Sequence, residues 1–138
     1  MSYIDTRDLI EERDDLKQQI LDDFNEKFNA ELETFDEVLQ NIKQEEREDF
    51  KSYWEDELVQ IIEIDEVENA VGSEFEYGCT LIEEDDFEEY VEEMLIDCGY
   101  ISKDFPTWIE IDWEATAENV KQDYSELEYK GNTYYFRA

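Results

Sequence analysis

Residues 84–99 read EDDFEEYVEEMLIDCG and carry the clearest structural pattern in the chain. Their apolar side chains recur at steps of three and four, which is typical of a helix with one buried face. Asp85 or Asp86 is suited to cap the start of this helix, and Gly99 is suited to end it. The stretch therefore predicts an amphipathic helix, whose apolar stripe consists of Phe87, Tyr90, Val91, Met94, Leu95 and Cys98.

The residues on the N-terminal side predict further helices. Apolar residues over 16–42 recur with a mean period of about 3.7, close to that of a straight amphipathic helix. Asp5 or Thr6 is suited to cap the start, and Thr34-Phe35-Asp36-Glu37 matches a capping box, which predicts a break near residue 33. Helical spacing resumes at Phe50 and fades before Gly72.

Strand patterns occur at two places in the C-terminal half. Residues 75–82 alternate between apolar and polar side chains, which predicts a strand. Residues 127–137 place aromatic runs on both sides of Lys130-Gly131-Asn132, which predicts a β-hairpin. Between them, Asp112 is suited to cap a short helix over 113–123.

These patterns together predict an α+β fold that is predominantly helical. We expect a helical N-terminal region over residues 1–72. We expect an acidic α+β module over residues 73–138, which ends in the small hairpin.

The charge of the chain excludes several classes of function. It has 138 residues, with 43 acidic and 11 basic side chains and a formal net charge of −32. Phosphate and anionic lipid would be repelled, so we expect no direct nucleic-acid partner and no membrane. No histidine is present, which removes the commonest general base and transition-metal ligand. The apolar content remains high enough for a folded chain.

The basic residues are distributed unevenly along the chain. Residues 52–102 contain none, against 18 carboxylates. Like charges four residues apart on a helix are unfavourable, which indicates that the surface serves another purpose. We interpret these acids as a surface that mimics phosphates for a cationic partner. The candidate partner-binding residues are Asp56, Glu63, Asp65, Glu66, Glu68, Glu74, Glu76, Glu83, Glu84, Asp85, Asp86, Glu88, Glu89, Glu92, Glu93 and Asp97.

Other readings of the acids remain open at this stage. A solvated or salt-adapted acidic face is one, and cation binding is another, although no segment fits a calcium loop. A carboxylate-pair enzyme is a third, but no nucleophile motif or phosphate loop is present, so we expect no catalytic residue, cofactor or specific metal site. The basic row Lys43, Arg47 and Lys51 favours docking against the chain's own acids. The three tryptophans are interpreted as core or core-rim residues.

A family resemblance begins in the C-terminal half. The segments are Gly78-Cys79-Thr80-Leu81-Ile82, Phe87-Glu88-Glu89-Tyr90, Asp97-Cys98-Gly99-Tyr100-Ile101, Ile111-Asp112-Trp113-Glu114-Ala115-Thr116-Ala117, Asp123-Tyr124 and Gly131-Asn132-Thr133-Tyr134-Tyr135. Residues 75–137 resemble the acidic ArdA-like antirestriction proteins of phages and mobile elements. The closing Gly-x-Thr-Tyr-Tyr is also similar to the tail of some acidic anti-CRISPR proteins.

The resemblance implies a DNA mimic. Such a protein occupies the DNA-binding groove of a restriction–modification enzyme or of an RNA-guided Cas nuclease in the host cytoplasm. It acts by occupancy, so no catalytic residues are carried over. The alternative is an acidic regulatory module for a basic host DNA-binding protein, with the N-terminal helices as the recognition surface. A homodimer is left open.

Overall fold

The computed structural model describes residues 3–43 and 47–137 of the chain. The mostly helical α+β class expected from the sequence is confirmed. The described elements are, in chain order, β1 (Tyr3–Asp5), α1 (Thr6–Phe28), α2 (Phe35–Asn41), α3 (Glu48–Tyr53), α4 (Glu55–Val71), α5 (Glu74–Tyr77), β2 (Thr80–Glu83), a 3-10 turn (Glu84–Asp86), α6 (Phe87–Asp97), α7 (Trp113–Lys121), β3 (Ser125–Tyr129) and β4 (Asn132–Phe136).

The chain divides into two compact units. One unit is Asp8–Asn69, and the other combines Met1–Arg7 with Ala70–Ala138. The division near residue 70 lies close to the expected boundary at 72/73. The first residues differ from expectation, because they belong to the same unit as the C-terminal half. We refer to Asp8–Asn69 as the helical unit and to the other as the sheet unit.

The helical unit is built around an aromatic and aliphatic core. The predicted break in the first helical stretch is confirmed, since α1 ends at Phe28 and Thr34 caps α2 by accepting from the Glu37 amide at 3.3 Å. The connection is held by Asn25, whose side chain both donates to and accepts from the Leu32 backbone at 3.0 Å. One buried cluster of this unit consists of Ile20, Leu21, Phe24, Phe35, Val38, Ile42, Phe50 and Ile61, and Leu9, Ile64 and Val67 are buried as well.

The sheet unit contains four antiparallel strands in the order β1-β2-β4-β3. The predicted hairpin forms its β3 and β4, joined by Lys130 and Gly131, which both have positive φ as a tight two-residue turn requires. The predicted cap of α7 is also confirmed, because Asp112 accepts from the Ala115 amide at 3.0 Å. A cluster behind the sheet consists of Ile82, Phe87, Val91, Ala117 and Tyr135.

The strand predicted over 75–82 is wrong in its first half. Residues Glu74–Tyr77 form the short helix α5, and only Thr80–Glu83 pair in the sheet. Phe75 is buried while Tyr77 is exposed, so these two side chains do not share the face that alternation implied. Gly78 ends α5 with φ +105° at a point where an added Cβ would meet the Arg7 side chain at 2.8 Å. The positive φ favours glycine at this position, and a larger residue would also have to displace the Arg7 side chain.

Candidate functional site

The sixteen predicted acids are divided between the two units. Five of them belong to the helical unit and eleven to the sheet unit. The helical-unit members are Asp56, Glu63, Asp65, Glu66 and Glu68. The sheet-unit members are Glu74, Glu76, Glu83, Glu84, Asp85, Asp86, Glu88, Glu89, Glu92, Glu93 and Asp97.

Two of the helical-unit acids are compensated within the chain. Arg13 on α1 donates from the same nitrogen to Asp65 at 2.7 Å and to Glu68 at 2.8 Å. Its side chain is only 12% exposed, whereas both carboxylates remain about half exposed. The two ion pairs join α1 to α4. Asp65 and Glu68 therefore have a structural role and are weaker candidates for partner binding.

The remaining acids are most concentrated on the 3-10 turn and α6. Phe87 and Val91 bury the apolar side of α6, which turns its acidic rows toward solvent. Gly99 ends the helix with φ +80°, as the sequence predicted. We define the acidic face as Glu84, Asp85, Glu88, Glu89, Glu92, Glu93 and Asp97; all are exposed except the half-buried Glu92.

The acidic face forms no ion pair with the basic side chains of the described residues. In the part of the chain that the structure describes, none of its seven carboxylates lies within ion-pair distance of a lysine or arginine. Thirteen helical steps separate its ends, so the face carries roughly one charge per 3 Å over about 20 Å. Duplex DNA carries one per 1.7 Å or so of its axis. The face therefore carries a little over half the linear charge density of a duplex, and a second adjoining acidic surface would bring it close to that density.

The pKa of the Tyr3 phenol is affected by the negative charge of this face. It packs edge-on against Tyr90 of α6, with ring centroids 5.4 Å apart. Burial raises the pKa of the Tyr3 phenol, and the negative charges of Glu93, Glu89 and Asp86 raise that pKa further. Ionising this phenol would add another negative charge beside three carboxylates.

Five of the chain's eleven basic side chains lie over aromatic rings. The Arg47 guanidinium lies 5.0 Å from the Phe24 centroid and 4.7 Å from the Phe28 centroid. The expected docking of Arg47 on acids is therefore replaced by stacking on rings. Other cation–ring pairs are Lys17 with Phe35, Lys27 with Phe50 and Tyr53, Lys121 with Tyr135, and Lys130 with Tyr129.

Two exposed aromatic residues that follow α6 in the chain were not predicted from the sequence. Trp108 is 80% exposed and Tyr100 is 81% exposed. The expectation that all three tryptophans are core or core-rim residues is wrong for Trp108. Both residues follow α6 in a connection without regular structure. Gly99 and Pro106 signal that connection, since a helix ends at one and cannot continue through the other.

The exposed aromatics are held by backbone hydrogen bonds. The Tyr100 amide donates to the Leu95 carbonyl at 3.0 Å, which fixes it to the end of α6. The Ile109 amide donates to the Pro106 carbonyl at 3.0 Å, which closes a turn around Trp108. Large exposed aromatics on a fixed backbone are suited to anchoring a protein partner.

The described ranges, 3–43 and 47–137, contain no group of three or more acidic or thiol side chains arranged to hold a metal ion. No helix within them is long and apolar enough to cross a membrane. Both cysteines are free, with Cys98 exposed and Cys79 buried. Burial raises the pKa of the Cys79 thiol, so this group is poorly suited to act as a nucleophile.

Comparisons of the chain with protein-family models, curated proteins and solved structures found no match.

Proposed function

We propose that the protein is a DNA-mimic inhibitor of phage or mobile-element origin that acts in the host cytoplasm. Its target is the basic DNA-binding groove of a defence nuclease complex, either a CRISPR–Cas effector or a restriction–modification enzyme. The observation that carries the proposal is the acidic face, seven carboxylates over residues 84–97 that form no ion pair with the described basic side chains. The resemblance of residues 75–137 to antirestriction proteins supports it.

Like-charge repulsion within the acidic face argues against solubility as the reason for its many carboxylates. Carboxylates at four-residue steps destabilise a helix by a few tenths of a kcal/mol per pair. Asp97 also lies in the last turn of α6, where the helix dipole disfavours a negative charge. Solubility requires far fewer acids than this chain carries. A cationic partner neutralises the carboxylates when it binds. The repulsion present in the free protein is then relieved, and this relief favours the complex.

The mechanism is occupancy of the groove that normally holds DNA. Arginine and lysine side chains of the target pair with the carboxylates and release the counterions that surround both surfaces, as they do when DNA binds. Electrostatic attraction between a chain of charge −32 and a basic groove accelerates encounter. No bond is made or broken, and the target loses access to DNA for as long as the complex persists.

The two exposed aromatic residues, Tyr100 and Trp108, contribute to binding differently from the carboxylates in this proposal. Tyr100 follows the last acid of the acidic face by three residues, and its ring is free to contact a partner. Arginine guanidinium groups bind aromatic faces as well as carboxylates. We assign fast association to the carboxylates and slow dissociation to Tyr100 and Trp108.

The test is competition between this protein and DNA for purified Cas effector and restriction–modification complexes. We expect stoichiometric inhibition of cleavage by one class, with displacement by excess target DNA. The key variant replaces Glu88, Glu89, Glu92 and Glu93 by Gln. The matched control replaces Glu110, Glu114, Glu126 and Glu128, four exposed acids of the same unit, and removes the same charge.

We expect the acidic-face variant to lose at least tenfold more affinity than the control, and its affinity to depend less steeply on salt. Equal losses in the two variants would show that only net charge matters and would overturn the assignment of the acidic face. Binding that leaves DNA cleavage unaffected would overturn DNA mimicry itself.

A further inference from the structure

The helical unit contains an apolar groove that the proposed function does not use. Its volume is about 620 Å³, within the range of small-molecule pockets. Two of its side chains are well exposed, Ile62 at 56% and Leu39 at 36%. The apolar lining consists of Phe35, Leu39, Ile42, Leu58, Ile61 and Ile62.

The groove also collects positive charge in a strongly acidic unit. The helical unit has six basic side chains against 23 acidic ones, and three of the six line this groove: Lys17, Lys43 and Lys51. Lys43 and Lys51 belong to the predicted basic row and line the groove. Arg47, the third member of that row, stacks on aromatic rings instead. Lys17 lies with its Nζ 5.6 Å from the centroid of Phe35.

The acids of the lining do not cancel this charge. Asp36 and Asp65 both line the groove, and Asp65 is already bound by Arg13 at 2.7 Å. The groove therefore combines three lysines with a single acid that no basic side chain of the described residues pairs. Charges more than about 8–10 Å from the groove are largely screened at physiological salt, so the three lysines and two acids of the lining contribute most to the charge that a ligand meets.

We propose that this groove binds a small amphipathic anion, an apolar body with one acidic head group such as a medium-chain carboxylate. The apolar lining buries the body, and the lysine ammonium groups pair with the head. A second copy of this chain is disfavoured as the occupant because both copies carry a charge of −32. The proposal is independent of the DNA-mimic assignment, since no lining residue belongs to the acidic face.

The experiment titrates the full-length, methyl-labelled protein with sodium decanoate below its micelle concentration and follows methyl resonances by NMR. We expect saturable shifts at Leu39, Ile42, Ile61 and Ile62, and none at Ile82 in the sheet unit. Decanol, which has the same chain without the charge, should bind at least tenfold more weakly. An absence of saturable shifts at the groove methyls overturns the proposal.

Two pairs of lysine substitutions test the role of charge. Lys43→Gln with Lys51→Gln should weaken decanoate binding about tenfold, because the head group loses two charged partners. Lys103→Gln with Lys130→Gln, in the sheet unit, removes the same charge and should change it less than twofold. All four lysines are exposed, so folding should be retained. Equal losses in the two pairs, or binding of an acidic peptide where decanoate fails, overturn the small-anion assignment.

Discussion

Thr6 is fully buried although its side chain is polar. Its hydroxyl donates to the Phe75 carbonyl at 2.9 Å and accepts from the Cys79 amide at 2.8 Å. The Thr6 amide also donates to the Cys79 carbonyl at 3.0 Å. Thr6 thus supplies hydrogen-bond partners to the Phe75 carbonyl within α5 and to the amide and carbonyl of Cys79 just after it.

Replacing Thr6 by Val should destabilise the sheet unit by about 2–3 kcal/mol, because a buried amide and a buried carbonyl lose their partner. Thr6→Ser retains the hydroxyl and should lose only about 1 kcal/mol for the missing methyl group. Urea unfolding of both variants measures the difference. A Val variant as stable as the Ser variant would contradict the hydrogen-bonding role.

Arg13 offers a second test at the residue scale. Arg13→Met leaves Asp65 and Glu68 facing each other without a cation and should reduce stability by about 1–2 kcal/mol. Adding Asp65→Asn and Glu68→Gln should recover most of that loss, since the repulsion is removed with the charges. Urea unfolding at low salt provides the measurement. A triple variant as unstable as Arg13→Met would indicate that Arg13 acts by packing alone.

Tyr124 gives a pH-dependent prediction. Burial, and then the neighbouring Tyr90, raises the pKa of Tyr124 to about 12. Below pH 10 the Tyr124 phenol is protonated in both the folded and the unfolded protein. Between about pH 10 and 12 only the unfolded state ionises, so stability is lost as pH rises. Two pKa units correspond to at most about 2.7 kcal/mol.

Tyr124→Phe removes this titration and should flatten the alkaline loss of stability between pH 10 and 12. Denaturant midpoints at pH 9 and pH 11.5 check the effect in wild type and variant. Tyr100→Phe is the matched control, because that ring is exposed. Identical alkaline losses in wild type and Tyr124→Phe would contradict the assignment.

At the scale of elements, local patterns predicted α6, the break before α2 and the β3–β4 hairpin, because spacing, caps and turn residues all lie within a few neighbouring positions. The strand β1 could not be predicted this way. It has three residues, and it is a strand only because Tyr3, Ile4 and Asp5 pair with β2, about 77 positions later. The same long-range pairing places the first residues in the sheet unit.

The acidic face illustrates the same limit for the candidate site. Helical periodicity was sufficient to place the acid rows of α6 on one exposed surface. It could not show that Arg13 binds Asp65 and Glu68, since those contacts span more than fifty residues. The sequence also did not predict that Trp108 is exposed. Tryptophan is usually buried, and the position of this ring is set by the turn around it.

Neutralising the C-terminal half of α6 provides an element-scale prediction. Glu92→Gln, Glu93→Gln and Asp97→Asn remove repulsion and an unfavourable dipole interaction, and should together stabilise by about 0.5–1.5 kcal/mol at low salt. The gain in stability should nearly vanish at 0.5 M salt, because salt already screens the repulsion between the carboxylates of the wild-type protein. Urea unfolding at both salt concentrations measures it, with Glu126→Gln and Glu128→Gln on β3 as the comparison. An equal gain at high salt would contradict the electrostatic origin.

At the scale of the whole molecule, the two units share the charge almost equally. The sheet unit has 20 acids and five bases, and the helical unit has 23 acids and six bases. Each unit therefore repels itself as it folds. Within the described residues, five acids form ion pairs with basic side chains, namely Asp5, Asp23, Asp65, Glu68 and Glu118, so most of the 43 acids are not offset in this way.

Added salt should consequently stabilise the free protein and weaken its complex with a cationic target. Raising sodium chloride from 20 mM to 500 mM should increase the Tm by about 5 °C or more, since a gain of 1 kcal/mol shifts a domain of this size by a few degrees. Potassium chloride at equal ionic strength should act identically, which separates screening from specific sodium binding. The same salt interval should reduce affinity for the target steeply, because released counterions return to both surfaces. A Tm that does not change with salt would mean that the carboxylates are already compensated, and the repulsion that favours the complex would then be absent.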